Sequence, residues 1–288
     1  MPQSWIDRYF TVTDGLRLHF RDYPGGDDRP PLLCLHGLTR NARDFADFAE
    51  RYAGRFRVIV LEFRGRGESA YDPQPLRYTP PTYVGDVLQL LDHLGLTKAI
   101  FVGTSLGGLV TMAVAASSPD RIAAAILNDV GPEIGEAGIE RIQTYLGRDV
   151  RFPDWEEAVR ELAKNQGPSF PGYTHDDWLA MARRNCRDRN GEIIFDYDMA
   201  IAEPFRTAGP VPKVDLWPLF QALARKPLLV VRGEISQLLT RDTFERMRAT
   251  APGAEFVTVP GVGHAPDLDE PAARTAIDDF LCRVEPSH

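Results

Sequence analysis

The stretch Ala99–Ala116, AIFVGTSLGGLVTMAVAA, constrains the fold more than any other part of this chain. Its apolar run Ala99–Val102 is strand-sized and stops at Gly103. After Gly107 and Gly108 the apolar residues resume at helical spacing. A buried strand that turns at once into a helix is one half of a strand–helix–strand unit. Only small residues pack closely enough at such a bend, and it carries one serine, Ser105.

The rest of the chain repeats the alternation. Tyr9–Thr13 and Leu16–Tyr23 read as strands joined at Asp14-Gly15, a hairpin signal. Pro31–Leu35 and Ile122–Leu127 read as short strands, and Arg57–Leu61 as one of the kind buried on both faces of a parallel sheet. Asn41–Tyr52 and Thr82–Leu94 have helical spacing between them. From about Gly131 to Pro212 the alternation stops, and the pattern becomes helical, irregular and rich in aromatic residues. It resumes with a strand at Pro227–Val231, a helix at Arg241–Thr250, a strand at Glu255–Val259 and a last helix from Pro271. An excursion of about 80 residues is far longer than an ordinary connection. The expected fold class is therefore α/β: a mostly parallel twisted sheet with helices on both faces and an inserted helical cap. The expected core domain is 1–130 with 213–288, and the expected cap is 131–212.

A chain of 288 residues, 43% hydrophobic, can bury one large core of this kind. The net charge of −8 and the lack of a basic stripe argue against nucleic acid as a partner. No apolar run approaches the ~18 residues of a membrane span. The first residues, MPQSWIDRYF, have neither the basic start nor the apolar stretch of a secretion signal. Cys34, Cys186 and Cys282 are odd in number and far apart, so reduced thiols in a cytoplasm are expected. No zinc pattern is present, and neither a metal nor another cofactor is expected.

Gly103-Thr-Ser-Leu-Gly107 fits Gly-x-Ser-x-Gly between a strand and a helix. The bend would lift the Ser105 hydroxyl above the sheet. The Leu106 N–H, at the helix N-terminus, would then face a developing oxyanion. A glycine-rich turn with an N-capping serine is the plainer alternative. A serine hydroxyl needs a base to become a nucleophile. His264, in Pro260-Gly-Val-Gly-His-Ala-Pro, follows the last strand and would reach the same carboxyl edge of the sheet. His36-Gly37-Leu38 follows the Pro31–Leu35 strand, and the Leu38 N–H is the expected second oxyanion donor. His36 is expected to brace that loop.

These segments together resemble the α/β-hydrolase superfamily in its capped, serine-nucleophile branch. The carriers are HGLTRN at His36–Asn41, LEFRGRGES at Leu61–Ser69, VGTSLGG at Val102–Gly108 and PGVGHAPDLDEP at Pro260–Pro271. The resemblance implies a catalytic triad of Ser105, His264 and an acid. The family usually places that acid near what are here Ser236 and Gln237, and neither is a carboxylate. Asp129, at the end of the strand after the bend, where some members carry their acid, is the expected acid, and Glu234, early in the usual loop, is the alternative. Arg40, Trp155, Trp178 and Tyr197 are candidate pocket residues. The resemblance implies hydrolysis through an acyl-enzyme but not a specificity within the superfamily; the expected substrate is a small carboxylic ester or lactone. The alternatives are a hydrolase of carbon–carbon bonds in ring-cleavage products, or a small-molecule receptor that does not turn over.

Overall fold

The computed structural model describes residues 4–26, 28–207 and 214–284. A hairpin, β1 (Ile6–Thr11) and β2 (Arg17–Tyr23), opens the chain. Gly15 supplies the left-handed backbone of its turn, at φ 85°. There follow β3 (Leu32–Leu35), α1 (Ala46–Tyr52), β4 (Val58–Leu61) and α2 (Pro80–His93). Then come β5 (Ala99–Thr104), α3 (Leu106–Ser117) and β6 (Ile122–Asn128). The helix expected from Asn41 begins as a 3-10 turn over Ala42–Phe45, because the Asn41 side chain caps Arg43 N–H.

The segment between β6 and the next sheet strand is not purely helical. It holds α4 (Glu136–Tyr145), β7 (Arg151–Phe152), α5 (Trp155–Gln166), α6 (His175–Asn185), β8 (Cys186–Arg189), β9 (Glu192–Phe195) and α7 (Glu203–Thr207). Its three strands form a small sheet in the order β7-β9-β8. Asn190-Gly191, with φ of 59° and 87°, forms the two-residue hairpin turn between β8 and β9, a turn signal carried by the sequence itself. The expected end of this segment at Pro212 lies outside the described residues.

The chain continues through α8 (Trp217–Leu223), β10 (Leu228–Gly233), α9 (Arg241–Thr250), β11 (Glu255–Val259) and α10 (Pro271–Arg283). The main sheet has eight strands in the order β1-β2-β4-β3-β5-β6-β10-β11. It is antiparallel through the β2–β4 pair and parallel from β4 to β11.

Period-two burial explains the two cores. In β5, Ala99 and Phe101 pack on one face, and Ile100 and Val102 on the other. In β4, Ile59 and Leu61 face one core while Val58 and Val60 face its opposite. A strand buried on both sides has no polar face to display, so it reads as a continuous apolar run. The strand order reverses its direction of growth between β3 and β5. In open α/β sheets that switch point leaves a crevice beyond the carboxyl ends of the strands. Ser105 and the His36–Leu38 loop both start from it.

Candidate active site

Sterics build the bend at Ser105, which has φ 53° and ψ −116°. A Cβ on Gly107 would stand 2.0 Å from the Leu35 carbonyl oxygen, and one on Gly103 would stand 2.6 Å from Gly107. A Cβ on Gly108 would meet a Val130 methyl at 2.3 Å. Helix α3 therefore presses against β3 and β6 with no room for side chains, and Ser105 is left at the tip.

His264 stands between two partners. Its Nε2 is 3.0 Å from Ser105 Oγ, and its Nδ1 is 2.8 Å from Asp129 Oδ2. An ionised carboxylate only accepts, so Nδ1 carries the proton and Nε2 turns its lone pair to the serine hydroxyl. Asp129 is fully buried and has a left-handed backbone, φ 54°, which aspartate tolerates better than most residues. Its Oδ1 accepts from the Gly233 N–H at 2.9 Å, and its Oδ2 also accepts from the Ser236 hydroxyl at 2.6 Å. Every partner of this carboxylate is thus a donor. Ser236 stands where the family usually keeps its acid, and it serves Asp129 instead. Glu234 is exposed and accepts from the Gly261 N–H at 2.8 Å.

The loop after β3 lies beside the serine: a Cβ on Gly37 would be 3.7 Å from Ser105 Cβ. Among the described residues, no protein acceptor is recorded for the Leu38 or Leu106 N–H. His36 holds this loop in place. Its Nδ1–H donates to the Gly37 carbonyl at 2.7 Å, and its Nε2 accepts from the Phe63 N–H at 3.1 Å. Burial lowers its pKa to about 4, so the ring stays neutral. Arg66 donates to the Leu38 carbonyl at 2.9 Å. Arg64 is a structural ion pair, bidentate to Asp86 and 2.5 Å from Asp72.

A cavity of about 120 Å³ opens above Ser105 and His264, with walls from both the sheet end and the inserted segment. Tyr197 lines it. Arg40 lines it too, but its guanidinium is held by Asp44 through bonds of 2.6 and 2.7 Å. Trp155 and Trp178 are not in its wall. They pack in the insertion's own core, Trp178 against Tyr173 and Phe170, Trp155 under the Arg183 guanidinium. The insertion needs large apolar side chains to bury its own small sheet, and these two serve that purpose. The residues missed from sequence are Ser236, Asn128 and the α4 face. Asn128 Nδ2 bonds Thr104 Oγ1 and the Pro266 carbonyl, tying the ends of β5 and β6 to the His264 loop. No local motif marks any of them.

The described residues hold no group of three or more His, Cys, Asp or Glu placed for a metal ion. None of their helices is long and apolar enough to cross a membrane. All three cysteines are free.

Comparison with known proteins agrees with this architecture. The sequence model of the alpha/beta hydrolase family matches residues 32–278. A 3-hydroxybutyrate-oligomer hydrolase of Cupriavidus necator is 37% identical over 266 residues, 89% of this chain and 90% of that protein. A 2-(acetamidomethylene)succinate hydrolase of Mesorhizobium japonicum is 26% identical over 82% of this chain and 81% of its own. The crystal structure of an alpha/beta hydrolase from Novosphingobium aromaticivorans superposes with a TM-score of 0.94 at 51% identity, covering 98% of this chain and 100% of that one. The chain belongs to the alpha/beta hydrolase family, and it is a hydrolase.

Proposed function

We propose that this hydrolase cleaves short carboxylic esters through an acyl-enzyme, and that its substrates are oligoesters of small hydroxyacids such as 3-hydroxybutyrate. The observation that carries the reading is His264, within 3.0 Å of Ser105 Oγ on one side and 2.8 Å of Asp129 on the other. Ser105 attacks the ester carbonyl while His264 Nε2 takes its proton. Asp129 fixes the tautomer and stabilises the imidazolium. The Leu38 and Leu106 N–H groups receive the oxyanion. His264 returns the proton to the leaving alcohol, and water clears the acyl-enzyme by the same route.

The insertion acts as a cap that sets specificity, since α4, α5, α6 and β9 all supply wall to the cavity. The cavity is close in size to an engineered site of ~150 Å³ that holds benzene. A four-carbon acyl unit fits such a space. The relative that cleaves 3-hydroxybutyrate oligomers supports this class of ester over a lactone. The test is release of monomer from 3-hydroxybutyrate dimer and trimer, followed by chromatography. Ser105→Ala should abolish release, and a fluorophosphonate should label wild type alone. Undiminished release by Ser105→Ala, or no release by wild type, overturns the proposal.

A further inference from the structure

We infer that Arg141 of helix α4 binds the terminal carboxylate of the substrate, so that the enzyme removes units from the carboxyl end of an oligoester. The inference rests on the ester-hydrolase reading and adds to it the end of the chain from which cleavage proceeds.

Helix α4 turns one stripe to the cavity: Gly138, Arg141, Ile142 and Tyr145 all line it. These positions share a face of an α-helix. Gly138 allows the close approach, since a Cβ there would stand 3.0 Å from Leu238 Cα. The stripe is apolar or uncharged except for Arg141. Burial raises the Tyr145 phenol above its usual pKa, so it stays neutral there.

Among the described residues, the charges around the cavity leave Arg141 as a free cation. Arg40 and Asp44 neutralise each other. Asp267, also in the wall, takes Arg184 at 3.0 Å and the Tyr173 hydroxyl at 2.7 Å. Among the described residues, no carboxylate lies within 4.0 Å of the Arg141 guanidinium, and no hydrogen bond leaves it. A partly buried guanidinium at a cavity wall favours an anion, and its planar fork suits a carboxylate. A hydroxyacid oligoester carries one carboxylate, at one end only. Pairing that end with Arg141 would present the ester nearest to it to Ser105. Departure of the alcohol then frees a hydroxyacid whose carboxylate is still at Arg141, and water releases the remaining acyl chain. The balance is that of ordinary ester hydrolysis, with one water consumed per bond.

The test compares two dimers of 3-hydroxybutyrate with the same scissile ester, one ending in the free acid and one in the isosteric primary amide. In wild type, kcat/KM for the acid should exceed that for the amide by about 10–100-fold, the range of one charge-assisted hydrogen bond. Arg141→Gln should bring this ratio close to one. Arg141→Lys, which keeps the charge without the fork, should restore part of it. Free 3-hydroxybutyrate should inhibit wild type competitively, with a Ki that rises in Arg141→Gln. A wild-type ratio near one, with brisk turnover of both dimers, overturns the inference and leaves the proposed function standing. So does a ratio unchanged by Arg141→Gln. If neither dimer is cleaved while p-nitrophenyl butyrate is, the oligoester substrate itself is wrong, and the inference falls with it.

Discussion

Replacing Asp129 by asparagine removes one charge and converts one acceptor into a donor, and the structure shows why neither orientation of the amide is tolerated. Oδ1 accepts from the Gly233 N–H, while Oδ2 faces the Ser236 hydroxyl and His264 Nδ1. If the amide oxygen keeps the Oδ2 place, the new NH₂ meets the Gly233 N–H at about 2.9 Å, donor against donor. A buried donor without an acceptor costs about 1–3 kcal/mol. If the amide turns over, the NH₂ faces His264 Nδ1 and selects the tautomer protonated at Nε2. That ring cannot take the serine proton. The second arrangement is the better one for folding and the worse one for chemistry. In a Ser-His-Asp triad the wrong tautomer costs about four orders of magnitude in kcat, or about 5 kcal/mol of transition-state stabilisation. We therefore expect Asp129→Asn to keep its fold and its KM for p-nitrophenyl butyrate, and to lose about 10³–10⁴ in kcat. Initial rates with enzyme checked by circular dichroism measure this. Glu234→Gln should stay within about threefold of wild type, because that carboxylate braces Gly261 at the surface. A folded Asp129→Asn that keeps more than a tenth of the wild-type kcat would refute the tautomer argument. A larger loss in Glu234→Gln would place the acid there.

Three further outcomes follow from the same geometry. Ser236→Ala removes a 2.6 Å bond to Asp129 and the acceptor of the Leu238 and Leu239 N–H groups, so kcat should fall about tenfold or more, with Ser236→Thr recovering most of it in the same assay. Gly107→Ala forces a Cβ to 2.0 Å from the Leu35 carbonyl and should lower both Tm and kcat sharply, whereas Gly172→Ala, with nothing within 4 Å, should change neither. His36 titrates near 4 when folded and near 6.5 when unfolded, so below about pH 6.5 the unfolded chain takes up a proton that the folded one refuses. Stability should fall as pH drops from about 6.5 through about 4, by up to about 3 kcal/mol, and urea midpoints of wild type and His36→Asn should differ in pH slope across that window.

The alternation of strands and helices was legible in the sequence because each central strand is buried on both faces, and burial on both faces leaves a continuous apolar run such as Val58–Leu61. The bend at Ser105 was legible for a related reason. Its steric demands fall on residues two positions away, so they leave a short local signature at Gly103 and Gly107. Which carboxylate meets His264 was less legible. Asp129 and Glu234 each directly follow a strand at the same edge of the sheet, β6 and β10, and only the resemblance favoured Asp129. Their difference comes from a turn with φ 54° that aims Asp129 inward, and from Ser236 and Gly233, more than 100 residues further along, whose donors hold it there. The cavity wall was least legible. Aromatic side chains are read as large and apolar whether they line a cavity or fill a core, and only packing placed Tyr197 at the cavity and Trp155 and Trp178 in the insertion's own core. Which arginine stays free is likewise a tertiary matter. It depends on which carboxylate the fold brings within reach, Asp44 for Arg40 and none among the described residues for Arg141.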